Sequence, residues 1–327
     1  MMCFCIIIMI FIGGLTRLTH SGLSITEWQP ITGVIPPLNE SSWQIEFAKY
    51  KSSPEFIKIN FHINFEEFKS IYLMEFFHRL AGRITGLLYI IPLCILLLKR
   101  YITIRESGIY FLALFLLCGQ GFMGWYMVKS GLISNPHVSH YRLAMHLMLA
   151  VLLYIIMVWQ LLKNSATFIL LHSNTSIIAP RFWGKIAILL LLLQMILGAF
   201  VSGLNAGLVY NSFPLMGNAF IPDEILRLPI KYSVFSDPVY VQFLHRILAY
   251  ILSLVIIVFA VFGFKLDNNK LSKALCYLLV ILLLQVIAGI ATLIYQVPIM
   301  IALLHQLGSI ILLSSLLWSY FLLTTAE

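Results

Sequence analysis

Charged residues are scarce in this chain of 327 residues. They make up only 10% of the sequence, whereas hydrophobic residues make up 61% and the mean hydropathy is +0.95. An ordinary soluble domain contains about 25% charged residues. The composition therefore excludes a soluble globular protein and predicts an all-α integral membrane protein.

Cysteine is also scarce, and the N-terminus lacks the features of a cleaved leader. The five cysteines lie in or beside apolar runs, where a small buried side chain is the expected role, so no disulfide is predicted. No basic segment precedes the first apolar run, and no small-x-small cleavage site follows it. This favours a membrane span over a signal peptide, which is the alternative.

Eight apolar runs are long enough to cross a bilayer core of about 30 Å. The first is the weakest, because it is short and Arg17 follows it at once. Eight transmembrane helices are therefore predicted, at residues 1–18, 76–98, 107–128, 141–162, 183–204, 240–263, 274–295 and 298–323.

The net charge of +8 does not indicate nucleic-acid binding, because the basic residues are spread among the connections between spans. Three short connections are rich in lysine and arginine, namely Lys99, Arg100, Arg105, Lys163, Arg181, Lys185, Lys265, Lys270 and Lys273. Basic connections usually face the cytoplasm. We therefore expect both termini to be cytoplasmic and the long connections, 19–74 and 205–239, to lie on the outer face. The amphipathic segment 40–70 is expected to lie on the membrane surface.

An internal repeat divides the chain. "FFHRLAGRITGLLYIIPL" from residue 76 aligns with "FLHRILAYILSLVIIVF" from residue 243, and "GQGFMG" from 119 aligns with "LQVIAG" from 284. "MHLMLAVLL" from 145 aligns with "LHQLGSIIL" from 304, and the connections that begin at residues 13 and 198 also correspond. The pattern predicts two tandem pseudo-symmetric four-helix bundles, 1–165 and 166–327, with one shared orientation.

Four histidines occupy equivalent positions in this repeat, each near the start of an even-numbered span: His78, His146, His245 and His305. Facing imidazoles in a four-helix bundle commonly hold haem iron. A single histidine in an apolar helix is more often a hydrogen-bonded core residue, but four in a duplicated pattern favour two haem sites. A zinc or copper site is less favoured, because two imidazoles leave such a metal short of ligands.

The other histidines have no partner under the repeat, and we expect them to be surface residues: His20, His62, His137, His140 and His172.

The two halves differ beside the histidines. Glu75 lies one helical turn before His78, whereas Gln242 occupies the equivalent position before His245. Ionisable groups at membrane depth are functional by default, so Glu75 is a candidate catalytic residue. The alternative is an interfacial acid paired with Arg79.

Three arginines are candidate partners for haem propionates. Arg79 and Arg246 are equivalent in the repeat, whereas Arg83 is replaced by Tyr250 in the second half. Guanidinium groups bind carboxylates in a bidentate manner, which suits this role. The alternative is that these arginines extend toward lipid headgroups.

Nearly the whole chain resembles the haem A synthase family, whose members convert haem O to haem A for cytochrome oxidase. The resemblance rests on an ordered series of motifs: "GGLTRLTHSGLSITEW", "EFFHRLAGRITG", "GQGFMGWYMVKSGL", "YRLAMHL", "NSFPLMG", "FLHR" and "LLHQLG". Some members carry a cysteine pair in an outer loop, which this sequence lacks. It therefore resembles the branch shared by proteobacteria and mitochondria, and no redox role for that pair carries over.

The resemblance implies a division of labour. The first half would bind the haem O substrate through His78 and His146, with Glu75 in the reaction, and the second half would hold a haem b cofactor through His245 and His305. The C8 methyl group of haem O would be oxidised to a formyl group. The implied location is a bacterial inner membrane, and the implied partners are membrane lipid, an electron donor and the haem O synthase.

Two other functions stay open from the residues alone. A dihaem b electron carrier linked to quinol would use the same histidines, but it would have no need for the difference between Glu75 and Gln242. A transporter built from parallel repeats would have to explain four equivalent histidines. The small-xxx-small pattern "GRITG" at 82–86 permits an oligomer, although packing within one bundle explains it equally well.

Overall fold

The computed structural model describes residues 1–29, 32–132, 138–165, 176–227 and 234–324, and it contains no β-strand within these ranges. The regular structure there is helical. The α-helices are α1 (Met2–Leu18), α2 (Glu40–Lys51), α3 (Pro54–Lys58), α4 (Phe65–Leu98), α5 (Gly108–Gly131), α6 (His140–Ser165), α7 (Ile178–Gly203), α8 (Asp223–Arg227), α9 (Pro238–Phe264), α10 (Asn269–Ile294) and α11 (Ile299–Thr324).

Seven of the described helices are long and apolar enough to cross a membrane: α4, α5, α6, α7, α9, α10 and α11. This confirms the prediction of an all-helical, multi-pass membrane protein. Helix α1 is also apolar but has 17 residues. At a rise of about 1.5 Å per residue it is about 26 Å long, slightly less than the bilayer core of about 30 Å.

Helix α4 begins eleven residues before the predicted span that starts at residue 76. Its 34 residues make it about 51 Å long, so it extends well beyond the bilayer core. Asn64 caps its first turn by accepting hydrogen bonds from the backbone N–H groups of Glu66 and Glu67, and the Glu67 side chain bonds back to the Asn64 N–H. This capping box explains why the helix begins in a polar segment.

The extension of α4 packs against α2, and the position of segment 40–70 on the membrane surface stays a prediction. Aromatic side chains from α2 and α4 form a buried cluster with Ile25 of the connection after α1: Phe47, Tyr50, Phe68, Tyr72 and Phe76. Beside this cluster the Tyr50 hydroxyl donates a 3.2 Å hydrogen bond to Glu55. Burial raises the pKa of Glu55 to about 7.

The chain divides into two compact units, Met1–Met157 and Val158–Glu327. In the first unit α1 and α5 both pack against α4. In the second, α7 packs against α9 and α11, and α10 packs against the same two helices. Gly82 of the "GRITG" pattern faces Met9 of α1, so this glycine serves packing within its own unit.

The two units contain matching backbone turns. His20 and Asn205, which follow α1 and α7, both have a φ of 52°, and Arg100 and Asp267, which follow α4 and α9, have φ values of 56° and 46°. Positive φ is uncommon for residues other than glycine. Its recurrence at corresponding positions shows that the chain has a positive φ at the same point after these helices in both units.

Candidate functional site

The four predicted histidines lie on four of the long helices. His146, His245 and His305 lie within the first eight residues of α6, α9 and α11, and His78 lies further along α4. All four are half-buried. The two histidines of each predicted pair lie in the same compact unit and within range of each other's charge, His78 with His146 and His245 with His305.

Each imidazole lies against a glycine on the preceding long or apolar helix. No side chain separates the ring from the helix backbone at these points. The Cβ atom of an alanine in place of the glycine would lie close to the ring in each case. In the first unit it would lie 3.4 Å from His78 Nε2 at Gly13 and 3.7 Å from His146 Cε1 at Gly124. In the second unit it would lie 3.3 Å from His245 Cε1 at Gly198 and 2.7 Å from His305 Cε1 at Gly289. An added carbon would therefore crowd His305 at Gly289 and press on His245 at Gly198, whereas Gly13 and Gly124 leave ordinary contact distances.

Three imidazoles also keep an unused nitrogen. The Nδ1 atoms of His146, His245 and His305 are enclosed, and they form no hydrogen bond with any residue that the structure describes. A buried polar atom without a partner is costly in a protein interior. Imidazoles with an unused nitrogen on apolar helices fit a role as ligands of haem iron.

Glu75 is buried on α4, with 2% of its surface exposed. Its Oε2 atom accepts hydrogen bonds from the Ser24 hydroxyl at 2.7 Å and from the Ile25 backbone N–H at 2.9 Å. Its Oε1 atom accepts two from Arg79, at 3.1 Å from Nε and 2.6 Å from Nη2. Glu75 therefore forms an ion pair with Arg79, and both of its carboxylate oxygens accept hydrogen bonds.

Arg79 also binds the main chain of the long connection after α1. Its Nη1 donates to the Glu27 carbonyl at 2.9 Å and its Nη2 to the Ile25 carbonyl at 3.1 Å, and its guanidinium lies 5.2 Å from the centre of the Trp28 ring. We call the bonds from Arg79 to these carbonyls the first arginine clamp.

Arg246 forms an equivalent set of bonds in the second unit. Its Nη2 donates to the Tyr210 carbonyl at 3.0 Å, and its Nη1 donates to the carbonyls of Ser212 and Leu215 at 2.9 and 3.3 Å. The repeat aligns Tyr210 with Ile25 and Ser212 with Glu27. We call these bonds the second arginine clamp.

A sequence comparison decides the family. The profile of the cytochrome oxidase assembly protein family COX15-CtaA matches residues 1–317. The chain belongs to this family.

Similar proteins in this family include three from Rickettsia that carry the name heme A synthase. The protein of Rickettsia felis is 51% identical over 324 residues, which are 99% of this chain and 96% of the relative. The proteins of Rickettsia africae and Rickettsia canadensis are each 50% identical, over 324 and 325 residues, with the same coverage of both chains. The similarity is therefore full-length and includes both units.

Arg83 lies beside the first arginine clamp, and its Nη2 atom donates a 2.8 Å hydrogen bond to the Gln29 carbonyl. Tyr250, its counterpart in the repeat, instead stacks on Phe220 with the ring centres 6.3 Å apart. The predicted role of the three arginines toward propionates stays a prediction, because the bonds that the structure shows go to backbone carbonyls and Glu75.

Among the remaining histidines, His20 and His62 are exposed, as expected of surface residues. His140 is half-buried at the start of α6, with its ring 4.0 Å from that of Tyr141. His137 and His172 lie outside the described residues.

Three glutamines near the histidines were not predicted from the sequence to be functional residues. Gln120 donates to the His146 carbonyl at 3.0 Å, and Gln194 and Gln285 donate to the carbonyls of His245 and His305 at 2.9 Å. The available signal was the spacing, because each glutamine stands four residues before a glycine that contacts the same histidine.

Proposed function

We propose that the chain is a haem A synthase, an oxidoreductase that converts the C8 methyl group of haem O to a formyl group and so makes haem A for cytochrome oxidase. Membership of the cytochrome oxidase assembly family and about half-identity to proteins named heme A synthase support this activity. The observation that carries it further is that two similar histidine pairs differ in one buried carboxylate, Glu75.

The first half, 1–165, would bind haem O through His78 and His146. Helix α1 would be the eighth span, because Gly13 places its backbone directly against the His78 ring. With α1 included, each half would be a four-helix bundle, in keeping with the matching turns after α1 and α7. Haem O is the substrate of this half.

The second half, 166–327, would hold haem b through His245 and His305. The enclosed Nδ1 atoms and the glycine contacts support haem ligation at this pair. Haem b would supply electron transfer when bound. The chain itself would orient the two imidazoles, exclude water with its apolar helices and place Arg246 within reach of the propionates.

Glu75 would act on the substrate side by electrostatics. Both of its oxygens accept hydrogen bonds from Ser24, Ile25 and Arg79, so its position is fixed before substrate arrives. A preorganised charge stabilises an opposite charge that develops during reaction. We therefore favour stabilisation of positive charge near the substrate over proton transfer by Glu75. Arg79 and Arg83 would lie near the propionates of haem O.

The experiment that tests this division measures haem in four purified variants. His245→Ala and His305→Ala should lose haem b, whereas His78→Ala and His146→Ala should retain it and fail to convert haem O. Extracted haems are identified by chromatography, and the reduced spectrum reports haem b. Unchanged haem b in both second-half variants would refute the assignment, and a normal haem A yield from the first-half variants would favour a dihaem electron carrier instead.

We further propose that the protein lies in a bacterial inner membrane with both termini in the cytoplasm. The basic connections after α4, α6 and α9 support this orientation. An electron donor and the haem O synthase would be its partners. A reporter that is active only outside the cytoplasm should work when inserted near Asn218 and fail near Asn269, and the reverse pattern would overturn the orientation.

A further inference from the structure

The glutamines beside the histidines follow a rule with one exception. On α5, α7 and α10 a glutamine precedes a glycine by four residues, which places both on one face of the helix, and that face contacts a histidine of the next long helix. On α1 the residue four positions before Gly13 is Met9. His78 is therefore the one histidine of the four without a glutamine at this position.

The glutamine amides join helices at the height of the histidines. In each case Nε2 donates to the backbone carbonyl of the histidine itself, so the bond ties the neighbouring helix to the turn that carries the imidazole. Gln194 also lies 3.3 Å from Nε2 of His245 and so contacts the ring. Such a bond limits sliding and separation of the two helices where the histidine projects.

Two further observations show that these amides are accommodated at a cost. The Oε1 atoms of Gln194 and Gln285 are enclosed and accept no hydrogen bond within the described parts of the chain, which an apolar side chain would avoid. Gly308, one turn after His305, leaves room for Gln285, because an added side-chain carbon there would collide with its Oε1 atom.

Met9 makes a different contact. Its terminal methyl lies 3.6 Å from the position that a side-chain carbon on Gly82 of α4 would occupy. A thioether side chain is flexible and donates no hydrogen bond. The contact between α1 and α4 at this level is therefore apolar and adaptable.

We propose that Gln194 and Gln285 are positioning residues that retain haem in the second half, and that Met9 leaves His78 as the ligand that can release haem in the first half. This inference rests on the proposed function, in which haem b is resident while haem O must enter and haem A must leave. Gln120 secures His146 to α5, so one ligand of the substrate pair has an amide bond to the neighbouring helix, whereas Met9 offers His78 no such bond to α1.

The test measures haem release from the full-length protein into excess apomyoglobin, which captures free haem. Met9→Gln should slow release of haem O from the first half by about threefold to tenfold, as expected for one added hydrogen bond between helices. Gln194→Met and Gln285→Met should speed release of haem b by a similar factor and alter its low-spin spectrum. Gln120→Met is the matched first-half variant and should speed release of haem O.

Each variant carries its own folding control, because the haem of the unaltered half should be released at the wild-type rate. Gln285→Asn, which keeps the amide but shortens the side chain, should behave like Gln285→Met if reach to the His305 carbonyl matters. Unchanged release in Met9→Gln together with unchanged haem b release in Gln194→Met and Gln285→Met would overturn the proposal. Failure of the wild-type first half to bind haem O would instead refute the proposed function and leave the haem b measurements interpretable.

Discussion

The two arginine clamps bind the main chain in the same way, but the side chain one helical turn before the arginine differs between the two units. Arg79 and Arg246 each bind two carbonyls that the repeat aligns, so the clamp itself is common to both units. The residue one turn before the arginine is Glu75 in one unit and Gln242 in the other. The common bonds fix the connections to the helices, and the carboxylate is what the first unit adds.

The hydrogen-bond partners of Glu75 and Gln242 also differ between the two units. Oε2 of Glu75 accepts from Ser24 and from the Ile25 N–H, whereas the amide of Gln242 donates to the Tyr210 carbonyl at 2.9 Å. Val209 is the counterpart of Ser24 in the repeat and has no hydroxyl to donate. The carboxylate is thus supported by a donor that the second unit lacks.

Removal of the arginine should have the largest effect and should differ between the units. Arg79→Ala leaves the buried Glu75 without its cationic partner, which typically costs about 3–5 kcal/mol. Arg246→Ala leaves a neutral amide and should cost about 1–3 kcal/mol. Thermal unfolding of the purified variants in detergent measures both. Equal destabilisation would show that the carboxylate adds nothing, and Glu75→Gln combined with Arg79→Ala should recover part of the loss.

Glu75→Gln, which gives the first unit the side chain that the second unit has at Gln242, should have the second-largest effect. Glu75→Gln keeps the size of the side chain and removes its charge, so haem b content should not change. Loss of one preorganised electrostatic group typically lowers the rate by about 10² to 10³. Haem extracted from cells that depend on the variant should be haem O or a partly oxidised alcohol. A normal yield of haem A would leave Glu75 as a structural ion-pair partner of Arg79.

The supporting donor should have the smallest effect of the three. The Ser24 hydroxyl has one proton, and its shortest acceptor is Glu75. Ser24→Ala should therefore cost about 1.5–3 kcal/mol, the usual range for a hydrogen bond to a charged group. Val209→Ser is the matched control, and a change at this exposed residue should stay within about 0.5 kcal/mol. Equal shifts in the unfolding temperature would contradict the role of Ser24.

Most of the helices could be predicted from apolar runs, because a span must be both long and uncharged. The predicted spans 141–162 and 240–263 lie within α6 and α9, whose bounds extend them by only a few residues. Helix α4 differs because its first turns pack on the aromatic cluster outside the apolar run. Hydropathy cannot detect such an extension, although Asn64 and Glu67 carry the capping signal.

The histidine pairs could be predicted from the repeat, but their surroundings could not. The sequence alignment already paired Gly124 with Gly289, yet contact of these glycines with histidines depends on which helices pack together. The partners of Arg79 and Arg246 were harder still, because backbone carbonyls exist at every residue and leave no mark in a sequence. The propionate role assigned to these arginines stays a prediction.

Because the arginine clamps bind the main chain, the side chains of these connections can vary during evolution. The clamps hold the carbonyls of Ile25 and Glu27 in one unit and of Tyr210 and Ser212 in the other, pairs with little chemical likeness. A carbonyl is the same whatever side chain accompanies it. The connections can therefore accumulate substitutions without loosening their attachment, which leaves their side chains open to selection by whichever molecules each half meets.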